Sequence, residues 1–168
     1  MSKTRQQFTA LAAVFPKVDL PITLSGETHH IFSKENKPIP LGLVATFLSA
    51  DHEQDQDGYT EYVACFEIPS QGHYRALVYW RAALMEYEYI LTTFEQSGRR
   101  IGTKVIAGTK SNGDSILRRI ATIDEEGLIT VAEGVQQAND RHYDPSGSRT
   151  YQLELTSTGD ILHMLEEH

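Results

Sequence analysis

Cysteine is nearly absent from this chain, which contains one, Cys65, in 168 residues. A single thiol cannot form an intramolecular disulfide, and such usage is typical of a reducing compartment. Long apolar runs are missing as well, because the longest near the start, residues 8–15, is too short to span a bilayer. Lys3 and Arg5 precede that run as they would in a signal peptide, but residues 15–19 contain no small-x-small cleavage site. We therefore expect a soluble, cytoplasmic protein with no membrane partner.

Basic residues are outnumbered. The chain has 15 Lys and Arg against 23 Asp and Glu, and its formal net charge is −8. Nucleic acids and anionic membranes are negatively charged, so we expect no nucleic-acid partner. The charges are unevenly placed: residues 51–67 carry six acidic groups and no Lys or Arg, whereas residues 99–119 carry six basic groups and one Asp. This asymmetry predicts a locally basic pair of strands.

Recognisable catalytic and metal-binding motifs are also missing. Residues 53–58 match the start of a calcium loop, but position twelve, which should be a bidentate Glu, is Ala64. The seven His residues have no H-x-H or H-x-x-x-H spacing, and no G-x-S-x-G occurs. Cys65 lies in a strand-like run, where a lone thiol is usually a small buried hydrophobe. We therefore expect no metal and no cofactor, and favour a non-catalytic protein.

Three near-copies of a turn pattern dominate the second half of the chain. Each has a strand end, a polar stretch and a glycine (Gly98, Gly127 or Gly159) before a new apolar run. Glycine supplies the positive φ that a tight or bulged hairpin turn needs. The pattern predicts consecutive β-hairpins.

Alternating and β-branched runs supply the strands of these hairpins. Eight runs fit this description: residues 61–68, 74–80, 84–94, 101–107, 116–123, 128–133, 149–156 and 160–164. The links are too short for crossover helices, which excludes a parallel sheet. Glu86 and Glu88 share one face and Tyr87 and Tyr89 the other, which we interpret as a wet and a dry sheet face. A carboxylate pair for acid–base chemistry is the less favoured interpretation.

The N-terminal part has helical and extended segments. Residues 4–15 predict an amphipathic helix, with Thr4 and Gln7 at capping-box spacing and Pro16 after its end. Residues 17–39 predict an extended arm with turns, and residues 41–49 a short helix, although a buried strand fits them equally well. The predicted fold is α+β.

We predict a single domain over residues 1–168, with a helical and extended part at 1–50 and an antiparallel sheet at 59–164. The sheet is a curved meander of seven or eight strands, open or closed into a barrel. One or two N-terminal helices cover its dry face.

A candidate binding patch combines aromatic residues with the basic strands. If residues 101–107 and 116–123 pair, four arginines come together and could bind a carboxylate or phosphate; neutralisation of acidic neighbours is the competing explanation. The patch comprises Tyr79, Trp80, Tyr87, Tyr89, Arg99, Arg100, Arg118 and Arg119.

These features favour a protein-interaction module. The first alternative is a small-ligand binder with an aromatic-lined cavity, and the second is an enzyme without a recognisable motif. A homodimer paired through long edge strands is a further alternative.

Overall fold

The structure is a computed structural model, and it describes residues 2–26, 28–36, 38–49, 59–70, 72–137 and 148–164. The calcium-like stretch 53–58 lies outside these residues. The helices are α1 (Lys3–Ala12), α2 (His29–Glu35) and α3 (Leu41–Leu43), which continues into a π-helical turn at Val44–Leu48. The described strands are β1 (Ile22–Leu24), β2 (Glu61–Ile68), β3 (Tyr74–Ala83), β4 (Glu86–Glu95), β5 (Arg100–Ser111), β6 (Ser115–Ile123), β7 (Ile129–Gln137), β8 (Arg149–Leu155) and β9 (Ile161–Met164).

Strands β2 to β9 form one antiparallel meander in sequence order, which confirms the predicted α+β fold. The turn glycines behave as predicted: φ is 97° at Gly98, 87° at Gly127 and 93° at Gly159. Among the described strands, β2 and β9 do not pair, so the sheet is open and the barrel alternative is wrong.

The sheet nevertheless curls strongly. Strand β5 pairs with β4 over nearly its whole length but with β6 only between residues 108 and 111. The turn between β8 and β9 folds back onto the earlier strands β3 and β5, so that Gly159 packs against Tyr74 and Ile101. The curl encloses a core to which all eight meander strands contribute apolar side chains.

Residues 17–39 contain more regular secondary structure than the sequence predicts. Instead of an arm with turns, they contain β1 and α2. Strand β1 pairs with β6 through Leu24 and Ala121, along the part of β6 that β5 has left. Leu24 and Phe32 are buried in the enclosed core, and the rings of Phe32 and Phe66 lie 5.7 Å apart. A strand of three residues is too short to show an alternation pattern, which is why it was missed.

Helix α1 packs on the sheet, as predicted, but on the face of β4 that carries Ile90 and Phe94 and not on the predicted dry face of Tyr87 and Tyr89. The Phe8 ring lies 5.0 Å from that of Phe94 and 5.7 Å from that of Phe47, and these rings form part of a second core. The predicted capping box is wrong, because the cap is Ser2, whose Oγ accepts a hydrogen bond from the Arg5 backbone N–H. The helix therefore begins one residue earlier than predicted and ends at Ala12.

The outer edge of β2 is covered by the N-terminal segments. The Asn36 amide donates to the carbonyls of Ala64 and Cys65 at 2.6 and 2.9 Å, and the Glu67 N–H donates to the Pro16 carbonyl at 2.8 Å. Edge strands are protected from pairing in this way. Homodimer formation through the β2 edge would have to displace these contacts.

Candidate functional site

Three of the four aromatic residues in the candidate patch lie together. The Trp80 ring lies 4.7 Å from that of Tyr89 and 6.0 Å from that of Tyr87, and the planes of Trp80 and Tyr87 differ by 7°. Tyr79 belongs to the second core on the other face, because adjacent strand residues point to opposite sides. The cluster thus comprises Trp80, Tyr87 and Tyr89.

A cavity of about 400 Å³ opens beside this cluster, at the end of the sheet where β3 ends and β4 begins. Its walls come from four separate parts of the chain. We call it the Trp80 cavity, and it is lined by Gly26, Glu61, Trp80, Ala82, Tyr87, Gly108 and Thr109.

Two local features fix the shape of the Trp80 cavity. Gly108 has a φ of 127°, and a Cβ there would lie 2.0 Å from the Tyr87 carbonyl oxygen, so only glycine allows β5 to approach β4 so closely. The Tyr89 hydroxyl donates to the Ser25 carbonyl at 3.3 Å and thereby holds the turn that carries Gly26. Burial, followed by the nearby Cys65, raises the pKa of Tyr89, which keeps its hydroxyl protonated as a donor.

An exposed apolar patch borders the cavity. We call it the hairpin-tip patch, and it consists of Tyr59, Leu84, Met85 and Tyr87, whose exposed fractions are 88%, 91%, 45% and 48%. Leu84 and Met85 form the two-residue turn between β3 and β4, and Met85 has a φ of 61°. A second depression of about 550 Å³ includes this patch and shares Glu61, Ala82 and Tyr87 with the Trp80 cavity. Patch and cavity are therefore continuous.

A buried ion cluster lies on the opposite face of the same strands. Arg81 is 1% exposed, and its Nη1 lies 3.3 Å from Glu86 Oε2 and 3.6 Å from Glu88 Oε2. Lys110 Nζ lies 3.3 Å from Glu86 Oε1. The predicted wet face is wrong here, since Glu88 is itself buried. The cluster ties the β3–β4 hairpin to the end of β5.

The two carboxylates of this cluster differ in pKa. Burial, and then the charge of Glu86, raises the pKa of Glu88. Burial acts the same way on Glu86, but hydrogen bonds from Lys110 and Arg81 outweigh it and lower the pKa of Glu86. Divergent carboxylate pKa values are common at acid–base sites. However, neither carboxylate lines the Trp80 cavity, so the pair could not act on a substrate bound there.

The four arginines of the candidate patch do not gather, so that prediction is wrong. Arg100 lies opposite Phe94 in β4, whereas Arg119 lies opposite Gly108 in β5. Positions 100 and 108 are about 26 Å apart along an extended strand at about 3.3 Å per residue. Arg99 is exposed at the far end of the sheet. Arg118, also exposed, lies opposite Thr109 at the edge of the Trp80 cavity.

Arg119 belongs to a second charged cluster that sequence reasoning missed. Its Nε donates to Glu133 Oε2 at 2.9 Å, and Arg149 pairs with the other oxygen of Glu133. The Lys104 ammonium lies 5.9 Å from the centre of the Tyr151 ring. Burial raises the pKa of Glu133, but hydrogen bonds from Arg149 and Arg119 outweigh it and lower the pKa overall. No sequence motif links these residues, which only the strand register brings together.

The interpretation of Cys65 can be compared with the structure. Cys65 is fully buried in the enclosed core, which confirms the packing role predicted for it. Burial also raises the pKa of its thiol, which disfavours the reactive thiolate.

The described part of the chain contains neither a cluster of metal ligands nor a membrane-spanning helix. No three His, Cys, Asp or Glu side chains there converge in a way that could hold a metal ion. None of the helices described is both long and apolar enough to cross a membrane.

Comparisons with known proteins add no relative. The chain matches no family model, no curated protein and no solved structure.

Proposed function

We propose that this protein binds a partner protein through the end of its sheet where the hairpin-tip patch borders the Trp80 cavity. The observation that carries the proposal is Leu84, an apolar side chain that is 91% exposed at the tip of a tight turn. Contiguous exposed apolar residues next to a depression are typical of protein-interaction sites.

The turn itself departs from the usual hairpin chemistry. Two-residue turns favour Asn, Asp and Gly, because these residues tolerate a positive φ. Here the turn is Leu84-Met85, and Met85 adopts a φ of 61°. Leu84 buries almost none of its side chain at this position, since it is 91% exposed. Local rules of this kind are most often broken where function requires it.

The arrangement also suits an anchored interface. Strong interfaces place one anchor side chain in a desolvated pocket and surround it with contacts that exclude water. The Trp80 cavity provides the pocket, with the largely buried Trp80 as one wall. Tyr59, Leu84 and Met85 provide the surrounding apolar contacts.

Site-specific photo-crosslinking tests the proposal. A benzophenone amino acid replaces Leu84 in one variant and, as a control, the exposed Asp114 of the β5–β6 turn in another. We expect position 84, and not position 114, to form an adduct with one other protein. Adducts formed only between two copies of this chain would contradict the proposal and favour a homodimer instead.

The crosslinked protein is then purified and its affinity measured. We expect Leu84→Ser to weaken binding at least about tenfold, because it removes a leucine side chain that the partner would bury. The matched control is Leu162→Ser, since Leu162 is a half-exposed leucine in β9. If both variants bind like the parent protein, the hairpin tip is not the interface.

A small-ligand binder is the second candidate, and the cavity volume favours it. Ligand cavities usually measure about 300–1,000 Å³ and have aromatic walls, and the Trp80 cavity falls in this range at about 400 Å³. Native mass spectrometry of the protein purified from its own cells tests this candidate. A bound small molecule that is lost from a Trp80→Ala variant would support it, and an unliganded mass would count against it.

A further inference from the structure

We infer that the Trp80 cavity receives an organic cation, presented as a Lys or Arg side chain of the partner protein. This inference rests on the proposed function and adds the chemistry of the anchor. It comes from the only charged side chain among the described lining residues, the carboxylate of Glu61. Glu61 also lines the adjoining depression, so it lies where the cavity and the hairpin-tip patch meet.

The aromatic walls fit the same ligand. A cation within about 6 Å of an aromatic ring is attracted by the negative face of the ring, and Trp attracts it most strongly. Trp80 and Tyr87 both line the cavity, and their ring planes are nearly parallel. Two rings and one carboxylate are the groups that favour ammonium and guanidinium ions over neutral groups.

Two of the three basic residues nearby are paired with other carboxylates. Lys110 pairs with Glu86 in the ion cluster, and Arg119 pairs with Glu133. Arg118 lies opposite Thr109 but is exposed and does not line the cavity. The formal net charge of −8 also attracts a basic partner at long range.

Trp80 is the only tryptophan of the chain, so its fluorescence reports directly on the cavity. The probes are 2-phenylethylammonium, 2-phenylethanol and phenylacetate, which share a ring and differ in charge. We expect the ammonium to bind at least about threefold more tightly than the alcohol, and phenylacetate to bind most weakly. The preference should shrink as salt is added.

Equal binding of the three probes would overturn the cation inference. It would still show that the cavity binds ligands, so it would not contradict the proposed function. If none of the three probes changes the Trp80 fluorescence, the inference is also overturned. The crosslink at position 84 would then decide the proposed function separately.

Two variants test the residues named. In Glu61→Gln the ammonium should bind about threefold more weakly, while the alcohol binds as before. The control is Glu154→Gln, which removes another exposed carboxylate, from β8, and should change neither affinity. If Glu61→Gln leaves the preference for the ammonium intact, the carboxylate does not select the ligand.

A peptide pair tests the source of the cation. Capped tripeptides Leu-Lys-Leu and Leu-Gln-Leu carry the anchor between apolar neighbours that can contact the hairpin-tip patch. We expect the lysine peptide to bind more tightly than both the glutamine peptide and 2-phenylethylammonium. A small amine that binds while the lysine peptide does not would overturn the protein source and favour a free amine ligand.

Discussion

The hydroxyl of Thr93 donates a buried hydrogen bond of 2.6 Å to the main-chain carbonyl of Gly159, 66 residues further along the chain. The same hydroxyl accepts from the Gly102 N–H at 3.1 Å. Thr93 thus links the last turn of the meander to β4 and β5. This contact holds the sheet in its curl without closing a barrel.

Thr93→Val keeps the size of the side chain but removes this link. We expect a loss of about 1–3 kcal/mol in the free energy of unfolding, because the Gly159 carbonyl is left buried without its donor. Urea unfolding measures the change. Thr122→Val, on an exposed threonine that faces Thr23, should stay within about 0.5 kcal/mol of the parent. Equal effects of the two variants would contradict the proposed role of Thr93.

Gly108→Ala should be much more destabilising than Gly113→Ala. Both glycines have a positive φ, at 127° and 94°, but a Cβ at Gly113 meets nothing within 4 Å. Gly113→Ala should lower the free energy of unfolding by only about 1 kcal/mol, the cost of the positive φ for alanine. Gly108→Ala adds a backbone clash with Tyr87, so we expect it to lower the free energy of unfolding by more than about 3 kcal/mol. Thermal unfolding of both variants measures the difference, and similar losses would show that β5 does not need this close approach.

Arg81→Met should destabilise the protein strongly at pH 7, by about 3–5 kcal/mol, because it leaves Glu86 and Glu88 facing each other without their buried cation. The deficit should shrink as the pH falls. Since the pKa of Glu88 is raised in the folded state, the cost of its charge is fully present above that raised pKa. It disappears as the pH falls towards the ordinary glutamate value.

Unfolding free energies at pH 7 and pH 4.5 test this dependence. The double variant Arg81→Met/Glu88→Gln removes one of the two facing charges and should recover about 1–2 kcal/mol at pH 7. A deficit that stays constant between the two pH values would mean that Arg81 stabilises the fold by packing alone.

Met85→Gly should raise the melting temperature, since glycine adopts a positive φ without strain. We expect a gain of about 1 kcal/mol. Differential scanning calorimetry provides the measurement, and Leu84→Ser, at a position with an ordinary φ, is the control without a backbone effect. A loss of stability in Met85→Gly would show that the exposed Met side chain contributes to the fold.

Much of the sheet could be predicted from the sequence. Alternation in residues 61–68 and the glycines at 98, 127 and 159 are local signals, and the structure follows them. The curl could not be predicted, because it depends on long-range contacts such as Thr93 with Gly159. The pairing of β1 could not be predicted either, since its partner lies about 100 residues away in β6.

The site could be predicted less well. The concentration of aromatic residues in the first strands predicted Trp80, Tyr87 and Tyr89 as candidate site residues, and they do lie together. The same reasoning included Tyr79, which faces the other side, and four arginines that the register divides between the two ends of β5. Glu61 and Gly108 gave no local signal, because their importance comes from being opposite other strands.

The NMR signal of the Trp80 indole N–H, the only indole in the chain, tests most directly whether the Trp80 cavity binds a cation. The ¹⁵N-labelled protein is titrated with 2-phenylethylammonium. We expect a saturable shift of this signal together with the amides of Glu61, Ala82 and Thr109. An unchanged indole signal, or shifts confined to the opposite end of the sheet around Arg100, would contradict it.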